Sequence, residues 1–145
     1  MKDDLAQFFA DKTTEIKEAF GELTVTVTPA HLLGVARALK EEAGFKFEFL
    51  SDLTGIDCGS GRFEVVYHLL SLLHKQRLRL KVKTDEGPKL PSVVSLWPTA
   101  NWHERESYDL LGIVFEGHPD LKRIITPDGF TGHPLRKDYP LKGEN

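Results

Sequence analysis

The chain has 145 residues, with 19 Lys and Arg against 22 Asp and Glu, so its formal net charge is −3. This length fits a single domain with one core, and the small negative charge provides no overall basic field for binding nucleic acid or an anionic membrane. The single cysteine, Cys58, excludes an internal disulfide, and it excludes any iron–sulfur cluster or zinc site held by four cysteines of this chain alone.

Hydrophobic periodicity changes twice in the first third of the chain. Apolar residues at near-helical spacing predict an amphipathic helix over 3–20 that ends at a glycine. Apolar residues that alternate with threonine over 23–28 then predict a half-buried strand. Thr28 supplies a hydroxyl at an N-cap and Pro29 an N1 residue without an N–H group, so we expect a second helix that closes at Gly44.

Three consecutive stretches in the middle of the chain alternate apolar and polar residues with period two. They predict strands over 45–52, 62–70 and 76–83. The glycine-rich residues 59–61 indicate a turn, and residues 74–75 lie near a second one, so we expect the strands to pair as antiparallel neighbours. No aromatic residues separate the cations of the last strand, which we interpret as a solvated face; we expect no nucleic-acid partner.

The predicted order of elements is α-β-α-β-β-β, followed by a short helix over about 101–111 and an extended tail. Strands that follow one another without intervening helices favour the α+β class. We expect a two-layer α/β sandwich with a mixed, mostly antiparallel sheet and with the helices on one face. We divide the chain into an α+β domain over 1–115 and a proline-rich, partner-binding tail over 116–145.

Residues 97–140 contain most of the side chains suited to specific contacts, and their first block is helical in pattern. Asn101 is positioned to cap this helix, with Glu104 at the capping-box position. Arg105 and Asp109 are four residues apart and are predicted to face each other as an ion pair. The stretch also provides a bulky apolar surface, larger than one short helix requires, from Trp97, Trp102, Tyr108 and Leu111.

The last 27 residues contain four prolines, which prevent a regular helix and remove backbone donors. This composition favours a tail that lies extended on another protein, with apolar side chains as anchors and Arg136 as a bidentate charged contact. A tail that wraps on its own domain is the alternative.

Histidines in the last third suggest a competing, catalytic interpretation. His103, His118 and His133 are candidate ligands of a metal site, which would make the chain a stand-alone metal-dependent hydrolase. The sequence after His103 lacks the second histidine of the zinc-protease helix motif, because Ser107 occupies that position. The carboxylates of 104–109 have no nucleophile, phosphate loop or dinucleotide fingerprint beside them. We therefore predict no catalytic, cofactor-binding or metal residue in this chain.

The chain shows no membrane or export signal in its amino-acid pattern. Residues 1–4 are not followed by the apolar core of a signal peptide, and no apolar run approaches the roughly 20 residues needed to cross a bilayer. We expect a cytoplasmic chain, associated with a membrane only through a partner and not inserted directly.

Two runs, at 104–113 and 132–140, carry a resemblance to a known family. They resemble the signature of the thirty-kilodalton subunit, also called the C subunit, of the proton-pumping NADH:quinone oxidoreductase, respiratory complex I. Residues 50–57 and 115–124 are similar to the same pattern. The positions that carry the signature or are expected at a partner interface are Trp102, Glu104, Arg105, Glu106, Tyr108, Asp109, Gly117, His118, Pro119, Gly132, His133, Pro134, Arg136, Lys137, Asp138, Tyr139 and Pro140.

The resemblance implies a cofactor-free structural and assembly subunit of the peripheral arm, on the cytoplasmic side of the cell membrane. It implies packing against the D subunit, which forms the quinone site, and against the neighbouring iron–sulfur subunits B and I. The FMN, the iron–sulfur clusters and the quinone that take electrons from NADH would be held by other subunits. The equivalent subunit of a related membrane-bound hydrogenase or ferredoxin-linked complex is the nearest alternative, because the electron donor binds elsewhere.

Overall fold

The structure is a computed structural model and describes residues 1–12, 15–84, 87–123, 125 and 132–137. Within these ranges the chain forms helices and strands in an α+β arrangement, which confirms the predicted class. The elements are α1 (Lys2–Phe8), β1 (Glu15–Ala19), β2 (Glu22–Val27), α2 (Pro29–Glu41), β3 (Phe49–Gly59), β4 (Arg62–Ser71), β5 (Gln76–Thr84), β6 (Lys89–Pro91), α3 (Ala100–Leu111) and β7 (Val114–Glu116).

Five of the strands form one mixed sheet in the order β1-β2-β5-β4-β3. The β2–β5 pair is parallel, and the other three pairs are antiparallel. The consecutive antiparallel pairing of β3, β4 and β5 therefore matches the prediction. The short strands β6 and β7 pair separately and in parallel.

One face of the sheet holds the hydrophobic core. Val25, Leu80 and Tyr67 lie side by side on β2, β5 and β4, and all three are fully buried. The buried residues of α2 join the same cluster: Leu32, Val35, Ala36 and Leu39. At the other end of this face Gly55 of β3 approaches Leu111 of α3. The helices α2 and α3 thus cover one face, and the opposite face displays the alternating cations of β5.

The predicted N-terminal helix over 3–20 is wrong. Helix α1 ends at Phe8, and residues 15–19 form strand β1, which pairs with β2. The connection is a two-residue hairpin turn in which Phe20 and Gly21 have φ angles of 54° and 78°. Gly21, which suggested the end of a helix, instead permits the hairpin turn between β1 and β2. The spacing of apolar residues over 15–19 fits both a helix and a strand and did not reveal this hairpin.

The predicted strand over 45–52 is also displaced, since β3 begins at Phe49 and continues to Gly59. Phe45 and Phe47 lie in a loop, but their side chains are buried. The Phe45 ring stacks on Phe9 at 5.8 Å, and the Phe47 carbonyl accepts a hydrogen bond from the Trp97 indole at 3.1 Å. Buried and exposed residues alternate here without strand pairing. The sequence pattern alone cannot distinguish a strand from a loop that buries every second side chain.

Helix α2 starts at the predicted position but is shorter than predicted. Thr28 is its N-cap residue with extended backbone angles, although the hydroxyl makes no capping hydrogen bond. The helix ends at Glu41, three residues before Gly44. No helix in the described part of the chain is both long and apolar enough to cross a bilayer.

Candidate functional site

The signature helix α3 begins one residue earlier than predicted and is capped differently. Its N-cap residue is Thr99, so Asn101 lies inside the first turn. Glu104 does not act in a capping box: it is fully buried and accepts hydrogen bonds from the Ser92 hydroxyl at 2.5 Å and the Val93 N–H at 2.8 Å. Glu104 therefore fixes α3 to the loop that follows β6.

Among the described residues, no cation forms a hydrogen bond or an ion pair with Glu104. Burial raises the pKa of its carboxyl to about 7, and the hydrogen bonds from Ser92 and Val93 only partly oppose this effect. The Tyr67 hydroxyl is also buried, and it has no hydrogen-bond partner within the described ranges. Burial, with a smaller contribution from the Glu104 charge, raises the pKa of Tyr67 well above its usual value. The first half of α3 and the neighbouring strand β4 therefore bury two polar groups, the Glu104 carboxyl without an ion-pair partner and the Tyr67 hydroxyl without a hydrogen-bond partner, among the described residues.

Asp109 is equally buried but has a very different environment. Its carboxylate accepts hydrogen bonds from Arg123 Nε at 2.8 Å and from the Ile125 N–H at 2.6 Å. Arg123 also donates to the Asp109 carbonyl at 3.1 Å and to the Gly132 carbonyl. The predicted Arg105–Asp109 pair is wrong, because Arg105 donates instead to the carbonyl of Lys122 at 3.2 Å. The partner of Asp109 comes from 14 residues further along the chain.

The last turn of α3 is capped by residues 132–137, which we call the strap. A helix leaves its final carbonyls without partners in the helix. The Asp109 carbonyl accepts a hydrogen bond from His133 Nδ1 at 2.8 Å, and the Leu110 carbonyl accepts one from the Leu135 N–H at 2.8 Å. The Leu111 carbonyl accepts one from Arg136 Nε at 2.6 Å. The guanidinium of Arg136 also suits the negative end of the helix dipole.

Two glycines make this close packing possible. Gly112 ends α3 with a φ of +76°, and a Cβ there would lie 2.7 Å from Arg136 Nη2 and 2.7 Å from the His133 ring. A Cβ on Gly55 would lie 2.8 Å from the Leu111 side chain. Such distances are too short for carbon atoms in contact, so the strap and α3 reach their positions only because both residues lack a side chain.

The strap continues onto the sheet through Asp57 at the end of β3. The Lys137 N–H donates to Asp57 Oδ2 at 2.8 Å, and the Gly59 N–H donates to Oδ1 at 2.8 Å. The bond from Lys137 is the main reason why the pKa of Asp57 lies below its ordinary value. The Arg136 guanidinium lies over the Phe63 ring at 5.3 Å, in cation–π geometry. We call the whole set of contacts between α3, Arg123, the strap and Asp57 the clamp.

The four predicted apolar surface residues of this region divide into two groups. Trp97 and Leu111 belong to the core, so their assignment to an exposed surface is wrong. Trp102 is 56% exposed, and Tyr108 is half-buried with its ring 5.9 Å from that of His133. Two further apolar side chains beside the clamp are exposed, Ile125 by 52% and Leu135 by 61%.

The remaining signature residues make local contacts or fall outside the described ranges. Gly117, His118 and Pro119 form the turn after β7, where His118 Nδ1 accepts the Asp120 N–H at 2.9 Å. Glu106 and Pro134 are half-buried. Asp138, Tyr139 and Pro140 lie outside the described residues.

The three histidines proposed as metal ligands do not converge. His103 lies 3.5 Å from Asp52, the His118 Nε2 atom is 3.4 Å from the Asn101 carbonyl, and His133 contacts α3. Within the described residues no three His, Cys, Asp or Glu side chains are grouped so that they could hold a metal ion. The geometry of this part of the chain gives the hypothesis of a metal-dependent hydrolase no support.

Several residues that build the site were not singled out in the sequence. Ser92 meets Glu104 across 12 positions, and Asp57 meets Lys137 across 80. Asp57 and Arg123 were both part of the family pattern, but neither had an assigned role. No local spacing connects these residues with their partners, because each pair is brought together only by the packing of α3 on the sheet.

The fold and the site define an α+β domain in which signature side chains such as Glu104, Asp109 and Arg136 form hydrogen bonds with backbone groups of the same chain. The sequence model of the family described as "Respiratory-chain NADH dehydrogenase, 30 Kd subunit" matches residues 25–145. The chain belongs to this family.

Curated relatives agree with this assignment. The NADH-quinone oxidoreductase C subunit of Methylobacterium sp. (strain 4-46) is 48% identical over 145 residues, which cover 99% of this chain and 67% of that protein. The corresponding C subunit of Caulobacter vibrioides is 52% identical over 127 residues, which cover 86% of this chain and 64% of that protein. The chain thus spans about two thirds of the length of these relatives.

Two solved structures share the architecture. A structure titled "Nqo5 of the trypsin-resistant fragment (1-134)" is 36% identical with a TM-score of 0.59, over 74% of this chain and 89% of that chain. A chain of the membrane-bound sulfane sulfur reductase, an archaeal respiratory membrane complex, has a TM-score of 0.80 over 96% of this chain and 85% of that chain. The latter is 24% identical and shows a shared fold alone.

Proposed function

We propose that this chain is a cofactor-free structural and assembly subunit in the peripheral arm of an NADH-quinone oxidoreductase. The observation that carries the proposal is the clamp. Glu104, Asp109 and His133 each bind backbone groups of the chain itself, and Arg136 does the same. Side chains that would be candidates for acid–base chemistry are thereby used to fix the relative positions of α3, the strap and the sheet.

The clamp also supports a docking surface. The N–H groups of Ile125 and Leu135 are both bonded to α3, so their exposed side chains project from a fixed backbone. Trp102 adds an exposed indole on the same helix. A preorganised apolar surface loses less conformational entropy when a partner binds, and tryptophan is enriched among the residues that dominate binding energy. We assign this surface, defined by Trp102, Ile125 and Leu135, to contact with other subunits.

The names of the relatives support the choice of complex. We propose the D subunit, at the quinone site, and the iron–sulfur subunits B and I as neighbours, with the tail over 116–145 contributing contacts. In such an assembly the other subunits would hold the FMN, the iron–sulfur clusters and the quinone. They would carry electrons from NADH and couple the transfer to proton translocation. The chain would lie peripherally on the cytoplasmic side of the cell membrane.

A related membrane-bound hydrogenase or ferredoxin-linked complex is the second candidate. The similarity to the archaeal sulfane sulfur reductase chain supports a common fold over 96% of this chain. The relatives named above are 48% and 52% identical and carry the NADH-quinone oxidoreductase name, which favours the first candidate.

Co-purification tests the proposal directly. A tagged chain expressed in its native host should be recovered from detergent-solubilised membranes together with FMN-containing and iron–sulfur polypeptides. Recovery of the tagged chain without any other polypeptide, from membranes and cytosol alike, would contradict a role as a subunit.

A matched pair of variants tests the docking surface. Trp102→Ala should weaken binding to the other subunits roughly thirtyfold and reduce co-purification accordingly, because truncation of a central interface tryptophan costs about 2 kcal/mol or more. Phe20→Ala removes a fully exposed aromatic ring from the β1–β2 turn and should leave recovery unchanged. Equal recovery of both variants would show that Trp102 lies outside the interface.

A further inference from the structure

The clamp holds the Arg136 guanidinium in a fixed position. Its Nε–H donates to the Leu111 carbonyl, its central carbon lies over the Phe63 ring, and its Nη2 atom packs against Gly112. The C-terminal end of α3 and strand β4 therefore orient one side chain. The charge of Arg136 has no ion-pair partner within the described ranges, although arginine offers five N–H donors in a planar fork.

Arg136 also lines a groove of about 370 Å³ at the end of the β3–β4 hairpin. We call it the glycine groove, because Gly59, Gly61 and Gly87 form part of its wall. These glycines have φ angles of +85°, +76° and +96°, and a Cβ added to any of them would meet nothing within 4 Å. The space above their backbone is open, and the absence of side chains lets another molecule approach the main chain closely.

The charges along the groove favour an anion. Arg136 and Lys137 both line it, and both contribute to the lowered pKa of Asp57. Asp57 is the opposing carboxylate, but each of its oxygens already accepts a backbone N–H. Its charge is therefore partly compensated by these dipoles, and none of the ion pairs among the described residues joins it to Arg136. Among the described residues that line the groove, two cations thus stand against one carboxylate that is already hydrogen-bonded.

We propose that the glycine groove receives a carboxylate side chain from a neighbouring polypeptide, which Arg136 binds through its unused N–H groups and Lys137 binds by charge. This assignment rests on the proposed function, since it requires a partner subunit. A planar carboxylate matches the guanidinium fork, and such charge-assisted pairs are the strong class of hydrogen bonds. The groove would then fix the orientation of the partner, while the apolar docking surface supplies contact area.

Zero-length cross-linking tests the proposal in the assembled complex. A carbodiimide joins a lysine amine to a carboxylate only when the two are in direct contact, and Lys137, which lines the groove, carries such an amine. In the complex isolated with the wild-type chain, mass spectrometry should identify Lys137 linked to an Asp or Glu of another polypeptide. A Lys137 that links only to carboxylates of its own chain, or to none, would overturn the proposal.

Ser60 provides a matched pair of variants at the rim of the groove. It is exposed and has a φ of 56°, a conformation that Asp and Asn tolerate better than most residues. Ser60→Asp adds a competing carboxylate and should lower the yield of the cross-link at least about fivefold. Ser60→Asn has nearly the same shape without the charge and should leave the yield unchanged. Equal yields from the two variants would contradict a charge-selective groove.

The outcomes separate this inference from the proposed function. A chain that co-purifies with other subunits but gives no intermolecular Lys137 product refutes the groove assignment alone. A chain that purifies without partners refutes the proposed function. Binding of inorganic phosphate to the isolated chain at Arg136, with no cross-link in the complex, would identify the groove as a small-anion site and also overturn the proposal.

Discussion

The two halves of α3 each bury a carboxylate completely, but they compensate it differently. Glu104 accepts two hydrogen bonds and has no ion-pair partner in the part of the chain that the structure describes, and burial raises its pKa to about 7. Asp109, five positions later, is paired with Arg123 and with the N–H of Ile125. Two equally buried carboxylates on one helix therefore depend on different groups. The stability that Glu104 contributes depends on pH, whereas the stability that Asp109 contributes depends on its ion pair with Arg123.

Removal of the cation at the second site should have the largest effect. Arg123→Leu leaves the buried Asp109 carboxylate without its ion pair and should reduce the free energy of unfolding by about 3–5 kcal/mol, measured by urea denaturation. Arg105→Leu is the control, because among the described residues its guanidinium donates to the exposed Lys122 carbonyl; we expect a loss below about 1 kcal/mol. Similar losses for the two variants would show that Asp109 does not depend on Arg123.

Proton binding should distinguish the first site. The ordinary pKa of Glu104 is 4.5 and the folded value is about 7, so the folded chain binds a proton more tightly than the unfolded chain. The contribution of this group to stability is fully present below about pH 4.5, falls as the pH rises, and is lost above about pH 7. The total change should be about 3 kcal/mol.

Glu104→Gln isolates this contribution because the amide does not titrate. The difference in unfolding free energy between the wild type and this variant should change across the pH range from about 4.5 to 7. A difference that stays constant with pH, or changes in the opposite direction, would show that burial does not raise the pKa of Glu104.

A pair of glycine substitutions tests the packing of the strap. Gly112→Ala and Gly117→Ala both place a side chain at positive φ, but only the first brings a Cβ against Arg136 and His133. We expect Gly117→Ala to cost about 1 kcal/mol and Gly112→Ala to cost about 1–2 kcal/mol more, measured by thermal or urea unfolding. Equal losses would mean that the strap does not pack against Gly112.

The smallest effect is expected at Tyr67. Its hydroxyl is buried without a hydrogen-bond partner among the described residues, so Tyr67→Phe should raise the unfolding free energy by up to about 1 kcal/mol. A loss of more than about 1 kcal/mol would show that the hydroxyl has a stabilising partner, such as an ordered water.

The parts of the fold that follow local rules were predictable from sequence. The alternation in β4 and β5 and the turn at 59–61 identified consecutive antiparallel strands, and Thr28-Pro29 marked the start of α2. The β1–β2 hairpin was missed because its mixed pattern also fits a helix. Burial at Phe45 and Phe47 has the period of a strand although these residues lie in a loop.

The sequence predicted which residues take part in the site, but it did not predict which residues they contact. Sequence reasoning selected Glu104, Asp109 and Arg136, which are central to the clamp. It paired Asp109 with Arg105, the nearest cation on the helix. In the structure the ion-pair partner of Asp109 is Arg123, which lies 14 residues further along the chain. Contacts such as Asp57 with Lys137 depend on how α3 packs on the sheet, and short-range spacing contains no information about that packing.

Amide hydrogen exchange in the 145-residue chain tests the clamp most directly. The N–H groups of Ile125 and Leu135 are bonded to Asp109 and Leu110, so both should exchange far more slowly than the same amides in an unstructured peptide. Gly112→Ala should remove the protection of Leu135 selectively, and Gly117→Ala should not. Exchange of both amides at the unstructured rate, while the strands of the sheet remain protected, would contradict the clamp.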